Sequence, residues 1–500
     1  MKKYKKILVG CILVGVVRTL ISCEGKGDSF IQVTSDNYDQ SKFYTNPQNI
    51  DLIADPFVLR TEDGKYYAYG TSDKIQASGY LAWESDDLIT WKEVGVAYMA
   101  KRGSWSNRDY WAPEVYYKNG KYYMYYTARD RETKNLGLGV AASDNPYGPF
   151  EDITNRPIIG EEFAVIDANI LMEDGKMYLY YVKDCSTNQI NGKNTSQIYG
   201  VELSDDMVTF KGEPVLLTTP EQEWEDVPGE WVWNEGPTIL KENDRYYLMY
   251  SAHPYWDKLY SIGYAVSDNP LGPFEKYENN PVLTSEIEWT HVSGSGHNSV
   301  TKSKDGKEIY SVYHTHMNPE DGGSRRTINI DKLGFREDGT MYINGPSVTP
   351  QPLPSGTGSS DNLNDLIESI EVEGESEKDE KLLYDGEIVY HNNFEDYEWS
   401  GKGKNKLTIK LKEEIKATDI LIYGNVEEGK RPEIKKIKVS KNKTFKGIDS
   451  SLAKLPGEAT IISFDEVNTK EIVIEFSNKE EFAISELIIM GKKCNLSKYH

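Results

Sequence analysis

The 500-residue chain is predicted to be all-β, a five-bladed β-propeller followed by a smaller jelly-roll β-sandwich, and three patterns predict it. One hairpin motif occurs five times: DGKYYAYGTS from Asp63, NGKYYMYYTA from Asn119, DGKMYLYYVK from Asp174, NDRYYLMYSA from Asn243 and DGKEIYSVYHT from Asp305. Asp-Gly or Asn-Gly between alternating apolar and aromatic runs is a strong hairpin signal, because both turn residues tolerate positive φ. A second motif follows the first: SDDLITW from Ser85, SDNPYGPF from Ser143, SDDMVTF from Ser204 and SDNPLGPF from Ser267, each the turn that leaves a third strand. Five units of three or four antiparallel strands make a propeller, and their period-2 alternation excludes a helical solenoid. Alternation resumes in KLTIKL from Lys406, DILIYG from Asp419, IKKIKVS from Ile434 and EIVIEF from Glu471, the strands of the sandwich.

The organisation read along the chain has five parts. Residues 1–22 place Lys2, Lys3, Lys5 and Lys6 before an apolar run from Ile7 to Val17, too short to span a bilayer and suited to an export signal. Leu20-Ile21-Ser22-Cys23 resembles a bacterial lipobox, which makes Cys23 the lipid attachment site and the chain an exported, lipid-anchored envelope protein. Residues 23–48 form a tether leading into the propeller of 49–354. The acidic stretch 355–378, opened by Ser355-Gly-Thr-Gly-Ser-Ser, reads as a linker that few contacts cross, leaving 379–500 dispensable for chemistry. A net charge of −23 repels nucleic acid and anionic lipid, so membrane contact is expected through the lipid alone. With 38% hydrophobic and 12% aromatic residues the chain can fold, and no CxxC pair or disulfide framework is visible.

Counting back nine or ten positions from the turn cations Lys65, Lys121, Lys176, Arg245 and Lys307 reaches Asp55, Ala112, Asp167, Glu235 and His297. The first strand of each blade is innermost, so these five positions are expected to ring the mouth of the central channel. Three carboxylates and an imidazole converging in an aromatic setting suit glycoside hydrolysis, in which one acid is held protonated and another ionised. A third carboxylate can set the others' pKa values by its charge. Phosphoryl transfer finds neither GxxxxGK followed by Ser or Thr nor GxGxxG, and a serine nucleophile finds no GxSxG.

In that order, ADPFV, WAPEV, VIDAN, WNEGP and GSGHNS resemble glycoside hydrolase family 43, over roughly Asn49 to Pro350. The resemblance implies an inverting enzyme with Asp55 as general base, Glu235 as general acid, and Asp167 orienting that acid and tuning its pKa. It also implies Arg326 and Trp111 as substrate contacts, and His297 as the support of a calcium or similar cation in the channel. No organic cofactor is implied. The expected activity is exo-acting release of arabinofuranose or xylose from plant polysaccharide side chains or oligosaccharides. The alternatives are β-galactosidase or galactanase activity, or a glycan-binding surface protein without catalysis. Trp231, Trp233 and Trp256 flank the acid blade as subsite walls or as packing; Glu114 is a strand acid; His314 and His316 alternate as ligands would, or as core histidines do. LYDGE from Leu383 and DILIYGN look like galactose-binding or discoidin-type modules, with Tyr397 and Trp399 as the candidate sugar-binding rings.

Overall fold

A computed structural model describes residues 29–494 apart from 51, 73–77, 286–291, 377, 391–396 and 428; the export signal and Cys23 lie outside the described residues. The five hairpin motifs become five four-stranded antiparallel blades. Their first strands are Ala54–Arg60, Trp111–Lys118, Val165–Glu173, Glu235–Glu242 and Gly296–Lys302. Each first strand touches the first strands of both neighbouring blades, so the five close a ring around the channel. Five apolar clusters fill the gaps between blades. The one between blades 1 and 2 is built on the fully buried tyrosines Tyr69, Tyr80, Tyr98, Tyr110 and Tyr126. Alternating aromatic residues in the hairpins therefore supply the glue between blades, each ring burying large area against the next sheet.

Every blade is drawn from one unbroken stretch of chain, so another device must close the circle. Residues 46–53 strap blade 5 to blade 1. The Gln48 N–H donates to Ile328 O (2.9 Å) and the Ile53 N–H to Arg326 O (3.2 Å), while Asn46 exchanges two hydrogen bonds with the backbone of Ile330. Ile50 and Ile53 are thereby sunk in the core shared by blades 5 and 1.

The C-terminal β-sandwich is larger than the sequence reading gave it, and two boundaries are corrected. The stretch 355–378 is not a linker. Asp361–Asn362 pairs with Glu481–Lys493, and Ile367–Ser376 pairs with Trp399–Gly424. Acidic composition masked an alternating strand: Ile367 and Ile370 enter the core, while Glu371 and Glu373 point outward and pair with Lys410 and Lys406 across the ladder. Nor is all of 23–48 a tether, since Ile31–Val33 pairs antiparallel with Ala459–Phe476, Ile31 opposite Ser463. The propeller is thus an insertion within the sandwich.

The seam between the two is packed, contrary to a boundary that few contacts cross. Val33, Phe43, Ile388, Tyr390, Tyr423 and Met490 share one buried cluster. Around it the Lys42 ammonium meets the buried Asp419 carboxylate at 2.9 Å, Arg336 forks onto Glu387, and Asn344 bonds the backbone of Gly386 and Ile388. The candidate sugar-binding rings of the sandwich are spent on structure: Trp399 is fully buried in its core, and Tyr397 lies under the Arg336 guanidinium at 4.0 Å. Every described aromatic ring of the sandwich is buried or half-buried.

Candidate active site

Each innermost strand carries a bulge next to its start, where the ladder skips from Ala54 to Phe57, Trp111 to Glu114, Ile166 to Asn169, Glu235 to Thr238 and Gly296 to Ser299. The residue after each first pair is left-handed: Asp55 (φ 51°), Ala112 (42°), Asp167 (57°), Gly236 (58°) and His297 (50°). Bulges re-aim side chains, here at the channel mouth. They also correct the ring of equivalent positions. Glu235 matches Ala54, Trp111, Ile166 and Gly296, one residue before the ring of Asp55, Asp167 and His297. Blade 4 has a two-residue turn between Glu242 and Arg245, whereas the turns of blades 1 and 5 are longer, so a count from the turn cation slips by one.

The left-handed residues are tied blade to blade. The N–H of Ala112 donates to Thr71 Oγ1 (2.9 Å), that of Asp167 to Thr127 Oγ1 (3.1 Å), that of His297 to Ser251 Oγ (2.8 Å) and that of Asp55 to His314 Nδ1 (3.1 Å). Each acceptor sits on the second strand of the preceding blade. In blade 3 that position is Val182, which has nothing to offer, and the Gly236 N–H donates instead to Asp167 Oδ2 at 3.0 Å. The substitution fixes Asp167 beside the backbone of the acid strand. At Gly236 the φ is also left-handed, and an added Cβ would stand 3.0 Å from His297 Cγ and press on that ring.

The three carboxylates sit in different fields. Burial raises the Asp55 pKa, but the Arg326 guanidinium at 3.1 Å, His297 at 3.4 Å and the hydrogen bond from Thr71 Oγ1 (2.6 Å) outweigh it and hold the group far below the usual carboxylate range. Asp167 is pushed to about 6, first by burial and then by the charge of Asp55, against the opposing pull of His297. Glu235 is raised well above the carboxylate range by burial and by Asp167, although the Tyr260 hydroxyl donates to its Oε1 at 2.9 Å. The fields therefore order the three carboxyls by proton affinity, Asp55 lowest, Asp167 raised and Glu235 raised.

Thr71, Tyr260 and His314 were not singled out for these contacts by the sequence. His314 is fully buried, its pKa driven down by burial, and its Nδ1 accepts the Asp55 N–H, so the ring is neutral. It stacks on Tyr260 at 5.5 Å, linking the Asp55 and Glu235 surroundings. His316, two residues on, instead bonds Ser293 Oγ and Tyr255 O. Glu114 lies deeper, its carboxyl raised to about 8 by burial and bonded to Tyr116 and Asn169, a neutral acid inside the barrel of strands. Among the described residues, no three His, Cys, Asp or Glu side chains are grouped to hold a metal ion. Calcium takes six to eight oxygen ligands, so His297 and Asp55 alone do not fit it as direct ligands.

Next to Asp55, and bounded by its partners Thr71 and Arg326, is a cavity of about 160 Å³ whose lining also includes Trp111 and Tyr255. Strand alternation turns Arg326 to Asp55 and leaves Arg325 more exposed. A cleft of about 1,100 Å³ lies away from the carboxylates, between blade 5 and the sandwich.

Comparison with known proteins gives the class first: the chain is a glycoside hydrolase. The model of glycosyl hydrolases family 43 matches residues 44–341, the length of the propeller, and the chain belongs to that family. It is 31% identical over 314 residues to a β-D-galactofuranosidase of Aspergillus niger, covering 59% of this chain and 83% of that protein. It is 27% identical over 324 residues to a xylosidase/arabinosidase of Bacteroides ovatus, covering 58% and 94%. Among solved structures it resembles a thermostable family-43 glycoside hydrolase at 45% identity and a TM-score of 0.60, over 63% of this chain and 99% of that one.

Proposed function

We propose that the enzyme is an inverting, exo-acting glycosidase that removes a terminal pentose, α-L-arabinofuranose or β-D-xylose, from plant saccharides. The opposed fields on Asp55 and Glu235 carry the reading. Asp55, kept ionised by Arg326, takes the proton of the attacking water. Glu235, kept neutral by burial and by Asp167, gives its proton to the leaving oxygen. Asp167 acts through Glu235 and touches no bond that breaks. A cavity of about 160 Å³, well below the roughly 300 Å³ of drug-sized pockets, takes one sugar ring, which supports exo action. Turnover of nitrophenyl α-L-arabinofuranoside and β-D-xyloside tests the glycon, and proton NMR of the first anomer released tests inversion. A β-D-galactofuranoside is the second reading, favoured by the Aspergillus relative; hydrolysis of that glycoside alone would select it.

The proposal includes a channel cation only as a water-held ion beside His297. Metal analysis with kcat/KM before and after chelation decides, and a metal-free protein of full activity removes the ion. It also includes export and acylation at Cys23. Incorporation of labelled fatty acid that Cys23→Ala abolishes is the expected result.

A further inference from the structure

A line of aromatic rings runs from the base to the acid. The Arg326 guanidinium, which holds Asp55, lies 4.5 Å from the centre of the Tyr255 ring. Tyr255 meets Trp256 edge-on at 5.0 Å, and Trp256 meets Trp233 edge-on at 5.9 Å. Trp233 is buried and stands two residues before Glu235. Tyr255 lines the cavity and is 40% exposed; Trp256 is 52% exposed, among the most exposed of the large apolar residues described. Trp256 packs at right angles to both rings and still stands half in water beside the exposed Tyr255 and Leu259, and contiguous exposed apolar surface of this kind marks binding sites.

The loop that carries it is fixed. The carbonyl of Tyr255 bonds His316 Nε2 at 2.8 Å, and Lys258 pairs with Glu320 at 2.9 Å. Gly323 passes so close that a Cβ there would stand 2.6 Å from Tyr255 O and 2.9 Å from Trp256 Cα. The loops after the second strands of blades 4 and 5 are therefore one unit, and the face of Trp256 is presented rather than free to turn away.

We infer that Trp256, braced by Tyr255 and Trp233, is the platform for the leaving-group side of the substrate, the sugar ring next to the bond that breaks. The inference rests on Glu235 as the acid. The acid sits on the side of the leaving oxygen, so the ring beyond that oxygen lies over the residues that flank Glu235; of the two exposed indoles there, Trp231 and Trp256, Trp256 is the one packed on Trp233. The ligand is thus a neutral saccharide chain whose ring stacks on the indole. A short substrate without that ring leaves Trp256 idle.

The test compares a linear or branched pentose oligosaccharide with the methyl glycoside of the same terminal sugar, whose leaving group is one carbon. For Trp256→Ala the ratio of the two kcat/KM values, oligosaccharide over methyl glycoside, is expected to fall about tenfold, the scale of one aromatic contact. Trp256→Phe keeps a ring and should restore most of the ratio. An unchanged ratio in Trp256→Ala overturns the platform and leaves the glycosidase reading standing. An equal loss on both substrates also overturns it, because Trp256 would then act by holding Trp233 and the acid. A wild-type protein that cleaves neither substrate removes the pentosidase reading, and with it the platform for a pentose chain.

Discussion

At the scale of single residues, two carboxyls of similar intrinsic acidity are driven in opposite directions, Asp55 toward the ionised form and Glu235 toward the protonated one, by what surrounds them. Glu235→Gln should lower kcat on a natural glycoside by about 10²- to 10⁴-fold and lose much less on a nitrophenyl glycoside, whose leaving group needs little protonation. Asp55→Asn should lose equally on both. A kcat comparison of the two variants on the two substrates checks the roles, and equal loss for Glu235→Gln would displace it as the acid. The alkaline limb of the pH profile belongs to Glu235, which must keep its proton. Asp167 in its ionised form raises Glu235, so Asp167→Asn should move that limb to lower pH. A kcat/KM profile with an unmoved limb would deny Asp167 its tuning role. The acidic residues themselves were legible in the sequence because the repeat aligned them. Their true offset was not, since it depends on turn length and on a bulge that leaves no compositional trace.

At the scale of elements, the acid strand depends on a clamp outside the channel. The loop before it is anchored by a fully buried ion pair: the Lys276 ammonium lies 2.6 Å and 2.7 Å from the two oxygens of Glu225 and donates to Asn234 Oδ1, while Asn234 Nδ2 donates to Glu225 Oε1. Asn234 adjoins Glu235. Lys276→Met leaves a carboxylate buried without its counter-ion and should cost about 3–5 kcal/mol in urea unfolding. Adding Glu225→Leu should recover much of that stability, since an apolar pair of similar volume avoids the burial of charge. No recovery would mean that the clamp's value lies in its hydrogen bonds to the loop. Hairpins were readable because turn signals are local. The strands Ile31–Val33 and Ile367–Ser376 were not: one is three residues with its partner far away, and the other hides its apolar face among glutamates.

At the scale of the molecule, the propeller and sandwich share apolar surface, which alters what truncation should do. Ending the chain after Pro354 uncovers Phe43, about 1.5–3 kcal/mol by itself, and strips Lys42, Arg336 and Asn344 of their partners. The shortened protein should melt at a markedly lower temperature, measured by calorimetry, even though every residue of the catalytic proposal remains. An unchanged melting temperature would show the seam to be decorative.

The pairing of Ile31 with Ser463 also sets an order in time. Whether the chain emerges from a ribosome or through a membrane pore, its N-terminal residues arrive first and their strand partner more than four hundred residues later. Blades can assemble in sequence as they appear, because each is drawn from one unbroken stretch of chain. The sandwich cannot close until Ala459–Phe476 and Glu481–Lys493 are delivered. Until then a short strand edge and the Phe43 surface stay open, and such edges invite pairing with other chains. A chain interrupted before Ala459–Phe476 would therefore keep that edge and surface open to other chains and to proteases.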